Sequence, residues 1–317
     1  MGTELMTRVT NALLSMQRQC WEQGVAGQAL LYSGQGDWAT LFAHDSVVRQ
    51  IADGRPGMVE AQFASTDPGS HAEILLHAAR VTGDESYTQA ATRLAEWLLH
   101  TAPRAKDGTL YHNTDAGEMW SDSLYMLPPT LGVYGRFDEA MRQIHGLRQR
   151  LWLADRKMYA HIWSEDRGEF RRKACWGGGN GWAAAGFARL IGMMPADMAA
   201  EREELIGYLK EVLEGCVAHQ RPDGLFHDVV DDPSTFVETN LAQMLAFAIY
   251  HSVAGGWLDE SWLPAAHCMR EGALAKVDAL GFVQGACGSP HFDHSGTSTE
   301  AQSFTLMMET AAAPFVG

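Results

Sequence analysis

Apolar positions recur at helical spacing through most of the chain. Ala91, Leu94, Ala95 and Leu98 form one i, i+3, i+4, i+7 stripe, and Leu205, Leu209, Val212 and Cys216 form another, the signature of helices with one buried face. Strand-like alternation is scarce. The periodicity predicts helices over about 4–18, 22–33, 37–52, 70–83, 85–101, 120–134, 136–153, 180–193, 198–219, 235–254, 257–277 and 297–313. Short turns with glycine and an acidic residue separate them in pairs: Gly36-Asp37, Gly83-Asp84, Gly135 to Asp138, Pro195-Ala196-Asp197 and Gly256 to Asp259. Glycine ends one helix by accepting a left-handed backbone, and aspartate starts the next by capping its free N–H groups. Turns repeating every 47 to 60 residues or so mark a helical hairpin repeat. The expected fold is therefore all-α: twelve helices in six hairpins, closed into an (α/α)6 toroid, with residues 1–317 forming a single domain. An open solenoid needs polar capping repeats, and neither end of the sequence resembles one.

Longer loops at about 53–69, 102–119, 154–179, 220–234 and 279–296 punctuate the same hairpins. Loops of more than about 12–15 residues in a compact fold tend to be functional. These are rich in Gly, Trp, His and Asp, so the mouth of the ring at which they gather is the expected active site.

Composition narrows the function classes. A net charge of −15 across 317 residues argues against nucleic acid and anionic membranes as partners. A small anionic fragment remains admissible where cations are concentrated, and the run Arg171, Arg172, Lys173 is the one local cluster. No apolar stretch approaches the roughly 20 residues of a membrane span. The first twenty residues lack the features of a signal peptide, which makes the expected location cytoplasmic. Five scattered cysteines without a CxxC pair suggest isolated buried thiols.

Three segments carry candidate chemistry. Glu118 to Met126 places Asp122 at a helix start between Trp120 and Tyr125. It reads either as a first-turn carboxylate stabilised by the helix dipole or as a general acid raised by aromatic burial, two effects of opposite sign. Cys175 to Trp182 (CWGGGNGW) opens a helix with two flat indoles, Trp176 and Trp182, around Asn180. No Gly-Lys-Ser/Thr follows, and the dinucleotide spacing fails, so it is not a phosphate cradle. Met158 to Trp163 contributes His161. His291, Asp293 and His294 hint at a metal, but spacing that short rarely lets three ligands converge, so neither metal nor cofactor is expected. A GxSxG nucleophile elbow is absent.

At these segments the sequence resembles the unsaturated uronyl hydrolases, glycoside hydrolase families 105 and 88. The resemblance also takes in Cys20 to Gly24, Asp67-Pro68-Gly69, Thr82 to Tyr87 and Phe236 to Thr239. It implies the same (α/α)6 fold and a substrate whose non-reducing-end uronic acid already carries a C4=C5 double bond left by a lyase. The aspartate matching Asp122 would protonate C4, then help a water add at C5; the hemiketal would collapse and release the sugar. Trp120, Trp176 and Trp182 match positions that shape and stack on the sugar, with Asn180 in the same segment, and His161 matches a histidine near the substrate. Two departures stand out. Gly178 occupies a position where the family often has a substrate-holding arginine, a charge that Arg171, Arg172 or Lys173 would have to replace. Asp67 lies directly before Pro68-Gly69, whereas the family's second aspartate lies a little earlier. Two other readings stay open: a toroid glycosidase acting on a saturated uronide or neutral sugar, with Asp67 or Glu238 activating water, and a catalytically inactive toroid that binds sugars or proteins.

Overall fold

The computed structural model describes residues 3–59 and 61–316. Its helices are α1 (Thr3–Leu14), α2 (Cys20–Tyr32), α3 (Gly36–Val48), α4 (Ala72–Thr82), α5 (Glu85–Glu96), α6 (Ser123–Met126), α7 (Pro128–Val133), α8 (Phe137–Leu151), α9 (Gly177–Met193), α10 (Ala199–Val217), α11 (Asn240–Ala254), α12 (Leu263–Leu274) and α13 (Thr299–Ala312). The expected helix over 120–134 is broken into α6 and α7, because Pro128 and Pro129 cannot donate the backbone bonds that would join them. Counted as one unit, α6 and α7 bring the helices to the expected twelve.

Contacts arrange these units in two concentric layers. The inner ring runs α2, α4, α6/α7, α9, α11, α13 and closes from α13 back onto α2; α3, α5, α8, α10 and α12 pack outside, with α1 against α13. This is the (α/α)6 toroid. The layers differ in sequence as they differ in environment. Every residue from Gly177 to Ile191 on α9 is buried, whereas α5 buries only Tyr87, Ala90, Ala91 and Leu94. Close approach inside the ring needs small residues: a Cβ on Gly186 would lie 2.2 Å from the Leu124 carbonyl oxygen.

The turns behave as their chemistry requires. Gly83 has φ +70° and ends α4, while Asp84 accepts the Ser86 N–H at 2.8 Å and starts α5. The five short turns predicted from glycine and an acidic residue lie where an inner helix passes to an outer one. The long connections return from outer to inner and share the other end of the ring. They hold short antiparallel strands that the helical periodicity did not reveal: β1 (Glu118–Trp120), β2 (Trp152–Leu153), β3 (Met158–Tyr159), β4 (Ile162–Ser164), β5 (Glu169–Arg172), β6 (Phe226–His227), β7 (Val237–Glu238), β8 (Ala286–Gly288) and β9 (His291–Gly296). β1 pairs with β4 and β4 with β5, which ties the Asp122 segment to the His161 segment. The first turns expected over 235–239 and 257–262 are not α-helical; β7 and a short 3₁₀ turn take their place. No described helix is long and apolar enough to cross a membrane. The five cysteines are free, four of them buried.

Candidate functional site

The long connections enclose a cavity of about 350 Å³ at the mouth of the ring. Four of the five contribute to its wall: Phe63 and Asp67 from the first, His112 and Trp120 from the second, Trp176 from the third, Cys287 and Phe292 from the fifth, while α11 adds Asn240. Gln19, Trp21, Asp122, Gly178, Trp182 and Glu300 are also among its lining residues. The long connections thus gather at one mouth of the ring.

Asp122 precedes α6, but its carboxylate makes no capping bond to that helix. It is free to face the cavity, with its side chain 16% exposed and Oδ2 3.5 Å from His161 Nε2. Burial is the largest influence on this carboxyl and pushes its pKa up, but hydrogen bonding and charge from His161, with His112 beside them, outweigh it. The net shift is downward. Of the two readings the sequence left open, a carboxyl raised by aromatic burial is not the one found: two histidines decide the sign. Asp67 shows the opposite balance. It is 6% exposed, and His112 Nε2 stands 3.7 Å from Oδ1. Burial, helped by the Asp122 charge and opposed by His112, raises it to about 6.

The histidines are held by their other nitrogens. Arg172 donates to His161 Nδ1 at 2.9 Å, and a guanidinium can only donate, so Nδ1 accepts. The ring proton of neutral His161 therefore sits on Nε2, toward Asp122, where no other partner is available. His112 Nδ1 lies 3.1 Å from Thr66 Oγ1 and 3.0 Å from Ser123 Oγ, and its ring stacks on Trp120 at 4.6 Å. Trp120 donates to Glu118, which Arg171 also binds through both carboxylate oxygens.

Trp176 donates to Asp228 at 3.0 Å and packs 4.6 Å from the His161 ring. A Cβ at Gly178 would lie 2.6 Å from its indole. The ring thus occupies the space through which an arginine at 178 would have to extend. None of the three cations expected to compensate lines the cavity. Arg171 is spent on Glu118, Arg172 reaches His161, and exposed Lys173 lies over Phe170.

Trp182 lines the cavity with its ring 4.7 Å from Tyr125. Asn180 does not line it: wholly buried, it accepts from Tyr159 N–H and donates to the Tyr159 and Trp176 carbonyls, so it shapes the loop that carries His161 and Trp176. Glu238 is also removed from the chemistry, since its carboxylate accepts the Asn240 and Leu241 N–H groups at the start of α11. His294 contacts only Asp293 and His291 on an exposed strand, and no group of three or more potential metal ligands occurs among the described residues. Sequence reasoning missed His112, Glu300, Trp21 and Phe292. Trp21 falls in a segment with family resemblance, whereas the other three carry no local pattern.

Comparison with known proteins identifies the family and the fold. The chain is 30% identical over 223 residues to the unsaturated rhamnogalacturonyl hydrolase YesR of Bacillus subtilis, covering 65% of this chain and 62% of that protein. It is 25% identical to an unsaturated 3S-rhamnoglycuronyl hydrolase of Formosa agariphila, covering 62% and 55%. The matched part is thus less than two thirds of either relative. The fold superposes with a TM-score of 0.86 on a possible member of the GH105 family from Salmonella enterica, at 17% identity over 98% of this chain and 93% of the other. Residues 3–306, nearly the whole ring, match the model of Glycosyl Hydrolase Family 88, and the chain belongs to that family.

Proposed function

We propose that this protein removes a 4,5-unsaturated uronic acid from the non-reducing end of lyase-generated oligosaccharides by hydrating the C4=C5 bond, with residues 1–317 acting as one domain. The observation that carries the reading is the pair Asp67 and Asp122 on one cavity wall, with pKa values pushed in opposite directions. Carboxyls split in this way supply an acid and a base from one residue type. In the free protein below about pH 6, the proton of the pair resides on Asp67. A bound uronate adds a negative charge to a cavity lined by no Arg or Lys among the described residues, which raises both carboxyls and holds one proton in the site. Passed from Asp67 to Asp122, it is delivered to C4. The Asp122 carboxylate then takes a proton from the water that adds at C5, and the hemiketal opens to release the sugar. Trp120, Trp176 and Trp182 supply apolar faces for the ring, His161 orients Asp122, and Asn180 acts indirectly by holding the loop. The substrate is a small anionic oligosaccharide fragment, neither metal nor cofactor takes part, and the reaction belongs in the cytoplasm.

The same two carboxylates also favour a second reading, in which Asp122 protonates a glycosidic oxygen while Asp67 activates water on a saturated uronide. Matched disaccharides with and without the double bond distinguish the two. Release of the second sugar from the unsaturated member alone supports hydration. Equal release from both supports the glycosidase, and release from neither leaves only a binding role.

A further inference from the structure

Glu300, in the first turn of α13, lines the same cavity as the two aspartates. It is 4% exposed and takes no part in the chemistry above. Its two oxygens are unequally employed. Oε1 accepts the Trp21 indole N–H at 2.7 Å, while Oε2 is buried with no hydrogen-bonding partner in the protein. A second carboxyl, Glu22 on α2, lies beside it and receives the backbone N–H groups of Arg18 at 2.5 Å and Gln19 at 2.8 Å. Those donors stabilise a charge on Glu22 and none on Glu300 Oε2. Two adjacent buried carboxyls do not both ionise easily, so Glu22 takes the charge and Glu300 the proton. With Oε1 already an acceptor, that proton sits on Oε2.

We propose that Glu300 is a substrate-reading residue whose Oε2–H donates a hydrogen bond to the carboxylate of the bound uronic acid. This deepens the functional reading above and rests on it. It also accounts for how an anionic sugar is held where the family arginine is replaced by Gly178 and no lysine or arginine lines the described wall. Burial, with the Glu22 charge second, raises Glu300 to about 7. The titratable groups around it are Glu22 on α2, the Cys287 thiol on β8, and Asp67, His112 and Asp122 lining the same cavity. Ionisation turns the donor into a like charge, so affinity falls as pH rises through that value.

The test is the KM for an unsaturated disaccharide from pH 5.5 to 8.5 in wild type, Glu300→Gln and Glu300→Ala. Because only the protonated form binds, wild-type KM should rise about tenfold per pH unit above roughly 7, with kcat far less affected. Glu300→Gln keeps an acceptor for Trp21 and offers an N–H in place of Oε2–H. Its KM should lack the rise that begins near 7, and Glu300→Ala should raise KM at pH 5.5, where wild type holds the donor. Calorimetric binding of the same disaccharide replaces KM for any variant that does not turn over. A Glu300→Gln profile that rises in parallel with wild type overturns the assignment of Glu300 alone. A folded wild type that neither cleaves nor binds any unsaturated uronide overturns the functional reading, and this assignment with it.

Discussion

Adding a single methyl group at Gly178 tests whether Trp176 has replaced the family arginine. In the first turn of α9, a Gly→Ala change would ordinarily be neutral or stabilising, by up to roughly 0.5–1 kcal/mol. Here the new Cβ would lie 2.6 Å from two indole carbons and 2.9 Å from a third. The ring has little room to retreat: Trp176 is 4% exposed, its N–H is bonded to Asp228, and its face lies against His161. Overpacking of this kind costs about 1–3 kcal/mol, and breaking the buried bond to Asp228 adds about 1–3 more. Set against the helix gain, Gly178→Ala should destabilise by about 1–6 kcal/mol, measured from urea unfolding with an unchanged m-value. A double-mutant cycle isolates the cause. In a Trp176→Ala background, itself costing about 3–5 kcal/mol, the clash is gone and Gly178→Ala should become neutral or stabilising. An equal effect in both backgrounds would refute the reasoning, as would a Gly178→Ala protein more stable than wild type.

Three further outcomes follow from the same geometry. Asp67, raised to about 6, binds protons in the folded state that the unfolded chain has already lost. Stability should therefore fall as pH rises from about 4 to 6, and by pH 7 wild type should lose about 3 kcal/mol relative to Asp67→Asn, which pH-dependent urea melts would reveal. Asn180→Ala removes three buried hydrogen bonds and should cost about 2–4 kcal/mol of stability, read from the same melts. Arg172→Met frees His161 Nδ1 to carry the ring proton, so Nε2 loses its donor toward Asp122; kcat should fall by about 10- to 100-fold with a smaller change in KM in steady-state assays.

Much of the ring could be read from the chain because its punctuation is local chemistry: Gly83 adopts the left-handed cap and Asp84 binds the next helix start, as their residue types require. Trp120 and Asp122, His161, and Trp176 lie within three compact segments, and β1 and β4 carry the first two of them to one place. The break between α6 and α7 was written in Pro128 and Pro129 but masked by helical periodicity on either side. Other features depend on contacts across long sequence separations. His112 reaches Asp67 from a different loop, and Trp21 meets Glu300 from the far end of the chain. The downward shift of Asp122 arises from His161, whose orientation is set in turn by Arg172. Glu238 looked equally catalytic in sequence until its two backbone partners were known.

The most direct test of the central assignment is the ultraviolet absorbance of lyase-generated unsaturated disaccharides incubated with wild type and with Asp122→Asn. The conjugated double bond absorbs and its hydration abolishes the signal. Wild type should bleach at least one substrate, while folded Asp122→Asn should be slower by about 10²–10⁴-fold. Bleaching by Asp122→Asn at near wild-type rate would contradict the role given to Asp122, and an unchanged signal with folded wild type across a broad panel would contradict hydration itself.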